Sequence, residues 1–477
     1  MEGNMIHSDH LTFTYKDSKE GIYDVNFTVK PGELVLLTGD SGCGKSTLLK
    51  CLNGLIPETV EGDMSGDLYL EEERYSGMKM TDLNKKIGSV FQNPRSQFFT
   101  DNTTAELVFP MENYGFSKER MEETLQKLSK EFQLDGLLNR DVFSLSSGER
   151  QMIALASSVT MQQKVLLFDE PSANLDYGNA IRLGKIIQKL KNRGYSIIVA
   201  DHRFYYLNGI IDKVLFMENG KMSVYDGEES FQKSGYNTRS FDIFSLTIPF
   251  VFEGKEEEKI ASLEQVFYKD ILRDINLELY RGEITVLVGA NGAGKTTLAK
   301  LLCESIKPDR GKVRSVGLPF FIMQDPDYQL FGTSVINELT LVKNDPEQIK
   351  GVIEKMGLYP YRNSHPFDLS GGQKQRLQIC MALLCDRPLI LFDEPTSGLD
   401  IGSMQRVAGQ IKELKHNSGV LVISHDYEFI RNVADRVVYL KEGRIEKDFR
   451  SARETLADLN KIFIDMQEEK NYEKNED

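Results

Sequence analysis

One short pattern occurs twice in this chain, 250 positions apart, and each copy demands the same local fold. An apolar run, Leu34-Val35-Leu36-Leu37, leads into Gly39-Asp40-Ser41-Gly42-Cys43-Gly44-Lys45-Ser46-Thr47 and then into a helical run, Leu48-Leu49-Lys50-Cys51-Leu52. Its twin passes from Ile284-Thr285-Val286-Leu287-Val288 into Gly289-Ala290-Asn291-Gly292-Ala293-Gly294-Lys295-Thr296-Thr297. Strand, glycine loop and helix in that order are the context of a phosphate-binding loop. The glycines let successive backbone N–H groups point at phosphate oxygens, where a Cβ would obstruct them. Lys45 and Lys295 bring a point charge to the β/γ-phosphates, and Ser46 and Thr296 offer a hydroxyl to Mg²⁺.

The residues around the loops repeat as well. Upstream, Tyr15-Lys16-Asp17 is echoed by Tyr268-Lys269-Asp270, and Asp24-Val25-Asn26-Phe27 by Asp274-Ile275-Asn276-Leu277. Tyr15 and Tyr268 either stack on an adenine ring or face the packed side of a strand. Downstream, Gln92 and Gln324 each end an apolar strand before Asn93-Pro94 and Asp325-Pro326, placed to reach Mg²⁺ or an attacking water. Leu145-Ser146-Ser147-Gly148-Glu149 and Leu369-Ser370-Gly371-Gly372-Gln373 precede helical stretches. There the free N–H groups and positive dipole end make an anion site of Ser146, Gly148, Ser370 and Gly372.

Val165-Leu166-Leu167-Phe168-Asp169-Glu170-Pro171 and Leu389-Ile390-Leu391-Phe392-Asp393-Glu394-Pro395 read as parallel strands buried on both faces. An acid at the carboxyl end of such a strand sits where α/β sheets present ligands. Asp169 and Asp393 suit Mg²⁺, and Glu170 and Glu394 can polarise a water as general base. Asp176 and Asp400 follow, and His202 and His425 close two further apolar strands, within reach of a γ-phosphate.

Ser146 to Ser370 and Asp169 to Asp393 are 224 positions apart, and His202 to His425 is 223. The near-constant spacing makes the two halves copies of one fold. The extra residues of the first half fall around 58–75 and 111–131. The organisation expected is a first domain over 1–228, a linker over 229–260, a second domain over 261–451, and an acidic, helix-prone tail over 452–477 expected as a solvated surface helix.

A chain of 477 residues is too long for one core, and no apolar run approaches a membrane span. The net charge of −14 argues against a broad nucleic-acid surface. Five cysteines without paired spacing, with six scattered histidines, offer no zinc or iron–sulfur site.

Twice over, these motifs resemble the ATP-binding cassette (ABC) ATPases: Walker A, Q-loop, signature, Walker B with its glutamate, D-loop and switch histidine, in order. The resemblance implies an α/β fold of two tandem P-loop domains. Each has a mainly parallel core sheet, an antiparallel β subdomain and a helical signature subdomain. It implies ATP and Mg²⁺ as cofactors and ATP hydrolysis as the activity. It also implies head-to-tail cassettes, with Lys45 working with Ser370 and Gly372, and Lys295 with Ser146 and Gly148. Residues 92–99 and 324–331 further resemble the energy-coupling factor (ECF) type, whose Q-N/D-P-x-x-Q-x-F segment receives a coupling helix from a transmembrane T component. A separate S component captures a vitamin or transition-metal ion. Phe98 and Phe331 are the aromatic residues expected at that surface. The expected place is then the cytoplasmic face of the membrane, peripheral through partners. A soluble tandem cassette acting on ribosomes or nucleic acid should carry a long basic linker, which is lacking here; the ATPase of another ABC importer or exporter shares the architecture but not the Gln-x-Phe pair. The first half departs from the family pattern at Ser147, Glu149 and Ala173-Asn174, which implies unequal sites.

Overall fold

Each phosphate-loop run folds as an inner strand of a six-stranded sheet. In the first half the strand order is Lys221–Asp226, Lys213–Glu218, Leu34–Gly39, Ser196–Ala200, Val165–Asp169, Ile87–Val90. In the second it is Arg444–Arg450, Arg436–Lys441, Ile284–Val288, Gly419–Ile423, Leu389–Asp393, Phe320–Ile322. All neighbours pair parallel except the outermost hairpin, which is antiparallel. This structure, a computed structural model, describes residues 4–92, 97–252 and 258–472. Asn93-Pro94-Arg95-Ser96 of the first proline turn and Lys255-Glu256-Glu257 of the linker lie outside the described residues.

The apolar runs have no polar alternation because both faces of the sheet are covered. Every residue of Leu34–Gly39 and of Ile284–Val288 is buried. Leu36 is wholly enclosed, so truncating it to Ala would cost roughly 2–5 kcal/mol. The strand order sets three carboxyl ends side by side in each half, carrying the glycine loop, the Asp-Glu pair and the histidine. That is the ligand-binding edge of a parallel sheet.

A second, antiparallel sheet accompanies each core. Ile6–Tyr15 pairs with Gly21–Val29 and Gly62–Leu70, and Lys259–Tyr268 with Leu272–Tyr280 and Arg310–Ser315. Residues extra to the first half form the strand Glu73–Arg74 and the helix Met80–Lys86, where the second half runs directly from Arg310–Ser315 to Phe320–Ile322. Its helices Thr103–Asn113 and Lys118–Phe132 have 11 and 15 residues, against 8 and 10 in Val335–Val342 and Pro346–Lys355.

The chain divides into two compact units, Met1–Leu175 with Asn179–Asp242, and Asp176–Gly178 with Ile243–Asp477. Two segments depart from the sequence expectation. Within the stretch expected as linker, Phe231 and Phe241 join the first unit's core, and Ile243 and Phe250 are buried as well. The acidic tail is not a solvated surface helix: Leu456–Tyr472 buries Leu459, Ile462, Phe463 and Met466. Those four recur at the spacing of one helical face, a stripe that the surrounding charge obscures. Among the described residues no helix is long and apolar enough to cross a membrane.

Candidate functional site

The two glycine loops have the same geometry. Lys45 Nζ donates to the Gly39 and Asp40 carbonyls at 2.9 and 3.0 Å, and Lys295 Nζ to those of Gly289 and Ala290 at 2.7 and 2.8 Å. Gly44 and Gly294 enter the helix in the left-handed region, at φ 109° and 103°. A Cβ at either would stand 2.7 Å from an apolar side chain, Ile22 or Leu272. At Gly42 and Gly292 a Cβ would meet nothing within 4 Å, so the space beside each of these glycines is open. Cys43 and Ala293 point the other way and pack on their cores; burial pushes the Cys43 thiol up. Of the loop residues singled out in sequence, these two present backbone only.

At the mouth, the Ser46 hydroxyl donates to Asp169 at 3.4 Å and the Thr296 hydroxyl to Asp393 at 2.9 Å. These hydroxyl–carboxylate pairs are the oxygen donors a Mg²⁺ ion would take. Burial pushes both aspartates above the usual carboxylate range, and it lowers Lys295. Tyr15 packs edge-on to Phe13, with centroids 5.2 Å apart, and its hydroxyl meets that of Thr47 at 2.9 Å. Tyr268 packs against the second core, with Lys269 Nζ 5.3 Å from its ring centroid.

Glu170 and Glu394 occupy the left-handed region, at φ 45° and 51°. That conformation costs a non-glycine residue about 1–2 kcal/mol and persists where surroundings impose it. Here the backbone imposes it: the Glu170 N–H donates to Ala200 at 2.7 Å and the Glu394 N–H to Ile423 at 2.9 Å. Each glutamate thus turns off its strand toward the histidine at the next strand's end. Glu170 accepts from Gln92 Nε2 at 2.8 Å and has His202 Nε2 at 3.6 Å; Glu394 has His425 Nε2 at 3.2 Å. Burial, with Asp201 and Asp169 adding repulsion, pushes Glu170 up to about 8. In the second unit, His425 Nε2 also meets Asn291 Oδ1 at 3.1 Å, and the Asn291 N–H donates to Asp176 at 2.8 Å.

Asp201 was not singled out in sequence. It is buried, accepts from the Tyr206 hydroxyl at 2.7 Å and from the Ser172 N–H at 3.4 Å. Ser424 holds the corresponding place in the second half, and Asp426, on the other side of the histidine, accepts from Thr396 at 3.1 Å. The acid has changed position across the histidine yet braces the same turn after the Asp-Glu-Pro motif.

Ser146 and Ser370 cap their helices in reciprocal boxes with Glu149 and Gln373. In the first, Ser147 Oγ donates to the Asn174 carbonyl at 3.0 Å, and a Cβ on Gly148 would lie 2.7 Å from Asn179 Nδ2. Glu149 is paired with Arg140 at 3.1 Å. Burial opposes its ionisation, but the Ser146 N–H and hydroxyl with Arg140 outweigh that and lower it. At Gly371 and Gly372 a Cβ would meet nothing within 4 Å.

Beyond Gln92 and Gln324, Gln97 and Gln329 act as staples. Gln97 accepts from the Phe91 N–H at 3.1 Å and donates to Ser89 at 3.3 Å; Gln329 bridges Met323 and Phe321 at 2.7 and 2.6 Å. Two buried carboxylates complete the loops: Glu106 accepts from the Phe99 and Thr100 N–H groups, and Glu338 from those of Phe331 and Gly332. They leave Phe99 76% and Phe331 79% exposed. The aromatic residue displayed like Phe331 is therefore Phe99, its partner in the repeated Gln-x-Phe, and not Phe98, which was expected at that surface; Phe98 packs on the core, as Leu330 is buried in the second half. Glu106 and Glu338 recur seven positions after Phe99 and Phe331, a signal the sequence carried.

The ABC transporter family profile matches residues 22–173 and 272–397. A Treponema denticola protein provisionally named an ABC transporter ATP-binding protein is 39% identical over 93% of this chain and 97% of its own length. A Bacillus subtilis protein provisionally named for HMP/thiamine import, YkoD, is 28% identical over 92% and 90%. Among solved structures the RNase-L Inhibitor aligns with a TM-score of 0.68 at 22% identity, over 94% of this chain and 92% of that one. At that identity the match shows the fold alone.

Proposed function

The chain belongs to the ABC transporter ATPases and hydrolyses ATP, and we propose that it powers an ECF-type importer of a vitamin or transition-metal ion through separate membrane partners. The observation that carries the reading is the pair Phe99 and Phe331, displayed on backbone that a buried glutamate and a glutamine hold rigid. An exposed apolar side chain on a clamped loop is a feature of a binding surface. In the first half Phe99 stacks on Phe109 with centroids 5.0 Å apart, and the second half exposes Phe331, Tyr328 and Leu341. The relative named for HMP/thiamine import supports the same class of cargo.

In this reading Lys45 and Lys295 hold the β/γ-phosphates over the backbone of residues 39–47 and 289–297. Mg²⁺ would be held by Ser46, Gln92 and Asp169 in one half and by Thr296, Gln324 and Asp393 in the other. When bound, Mg²⁺ supplies neutralisation of the phosphate charge. Glu170 and Glu394 polarise the attacking water, and His202 and His425 orient it and the γ-phosphate. Tyr15, whose hydroxyl meets that of Thr47, and Tyr268 would stack on the adenine. The two cassettes pair head to tail, so that Ser146 with Gly148, and Ser370 with Gly372, wall the opposite site. ATP then draws the halves together, and hydrolysis releases them to move the membrane partners.

The test is recovery of the tagged chain from native membranes, with Phe99→Ala and Phe331→Ala as variants. Small hydrophobic proteins should accompany the parent chain and be lost from the double variant, while ATP binding is unchanged. Ribosomal proteins instead, or undiminished recovery from the variant, would overturn the reading.

A further inference from the structure

The second unit contains a closed set of four aromatic rings that the hydrolysis chemistry does not use. Phe463, on the C-terminal helix Leu456–Tyr472, meets Tyr177 edge-on with centroids 5.3 Å apart and Tyr427 at 5.1 Å. Phe244 meets the same two tyrosines from the other side, at 6.1 and 5.4 Å. Tyr177, Tyr427 and Phe463 are all buried. The Tyr427 hydroxyl is bonded to Asn460 of the same C-terminal helix. Arg431, one turn on, is buried, donates to the Tyr427 oxygen at 3.3 Å, and ties the Leu246 and Ile248 carbonyls.

Both clamped tyrosines adjoin the candidate site. Tyr177 follows Asp176, whose carboxylate accepts from the Asn291 N–H in the second glycine loop. Tyr427 lies two residues after His425, which meets both Asn291 Oδ1 and Glu394. Ring contacts thus join Phe463 to the two tyrosines, the chain carries each tyrosine within two residues of Asp176 or His425, and both of these converge on Asn291.

We propose that the C-terminal helix is a clasp whose Phe463 and Asn460 position His425 and Asp176 for hydrolysis at the Lys295 site. Phe463, Tyr427 and Tyr177 are positioning residues: they touch neither substrate nor reacting atoms. Edge-to-face contacts fix direction as well as distance, so four mutually packed rings leave Tyr427 little freedom to rotate its backbone and the preceding histidine. Loss of that constraint lowers the fraction of aligned histidine and leaves the phosphate cradle intact. The inference rests on the reading of Glu394 and His425 as hydrolytic residues, and the experiment separates the two.

Steady-state ATPase of the full chain is compared for Phe463→Ala, Phe463→Tyr, Tyr427→Phe and Glu394→Gln, with Phe463→Ala also combined with Glu394→Gln. Phe463→Ala should lower kcat about fivefold with KM for ATP within twofold, and Phe463→Tyr should restore it. Tyr427→Phe, which keeps the ring and loses the hydroxyl's bonds to Asn460 and Arg431, should lower kcat about twofold. Phe463→Ala should cost nothing further in the Glu394→Gln chain, because both act through one site. An undiminished kcat in Phe463→Ala, an additive loss in the combined variant, or a loss shared equally between kcat and KM would overturn the clasp. A Glu394→Gln chain with full activity would instead overturn the reading of the site beneath it.

Discussion

The two halves of the chain share a floor and differ in a wall. At the sheet's edge the lysine, the hydroxyl–aspartate pair, the left-handed glutamate and the histidine are superimposable in kind, down to carbonyl contacts at 2.7–3.0 Å on each lysine. The differences collect at the signature helices. Gly371 and Gly372 leave their N-terminal face open, whereas the side chains of Ser147 and Asn179 crowd the first signature, and Glu149 adds a carboxylate where Gln373 is neutral. The two halves keep alike the residues proposed to act on phosphate within one cassette. The signature helices, proposed to wall the opposite site, differ between the halves.

The largest effect expected from this contrast is on turnover. In the proposed head-to-tail pairing, the Lys45 site is walled by the open signature and the Lys295 site by the crowded one. Glu170→Gln should therefore cost about a hundredfold in kcat, the value of a general base, and Glu394→Gln about tenfold. Both variants should retain ATP, measured by rapid filtration. Equal losses would break the comparison at its centre.

Next in size is occupancy. Lys45→Ala or Lys295→Ala should each abolish one of two equivalents of bound ATP in equilibrium dialysis, weakening that site about tenfold or more. A chain that still binds both equivalents would contradict the loop assignment.

Much of this architecture was legible because it rests on local chemistry. Glycines at left-handed positions and unbroken apolar runs announce the loops and buried strands around Lys45, Asp169 and their twins. What escaped the sequence depends on pairings remote along the chain. Glu106 looks like any helical glutamate until Phe99 and Thr100 donate to it. The repeated Gln-x-Phe already set Phe99 against Phe331, and only the packing of Phe98 on the core needed the structure. Leu459, Ile462, Phe463 and Met466 read as incidental in an acidic tail because the partners Tyr177, Phe244 and Tyr427 come from elsewhere. The left-handed Glu170 and Glu394 follow from bonds to Ala200 and Ile423, one strand over.

A smaller effect, on stability, sharpens the difference in the floors themselves. Asp201 stands beside the first histidine where the second half has Ser424, and burial, with Asp201 and then Asp169 adding repulsion, raises Glu170 to about 8. A carboxyl raised in the folded state contributes stability that is full below its unfolded value near 4.5 and is lost as pH climbs through about 8. Glu170→Gln removes that loss. The nucleotide-free variant should melt roughly 3–5 °C above the parent at pH 8.5 and close to it at pH 5, read by calorimetry. A pH-independent difference would show that the glutamate is ionised throughout.

The smallest effect tests the wall by itself. Glu149→Gln gives the first signature the neutral side chain found at Gln373 while keeping the capping box, since Gln can still accept from the Ser146 N–H as Gln373 accepts from Ser370 at 2.8 Å. The variant forfeits the half-exposed pair with Arg140, worth about 0.2–1 kcal/mol, so its melting temperature should hardly move. If the carboxylate hinders the Lys295 site through its charge, hydrolysis in the Glu170→Gln chain, where that site alone retains its glutamate, should rise two- to threefold, a change of about 0.5 kcal/mol. The gain should shrink as salt is raised, because an exposed charge is screened within about 10 Å at 0.1 M. Glu149→Gln without a gain, but Ser147→Gly with one, would move the asymmetry from the charge to the crowded amides beside Asn179.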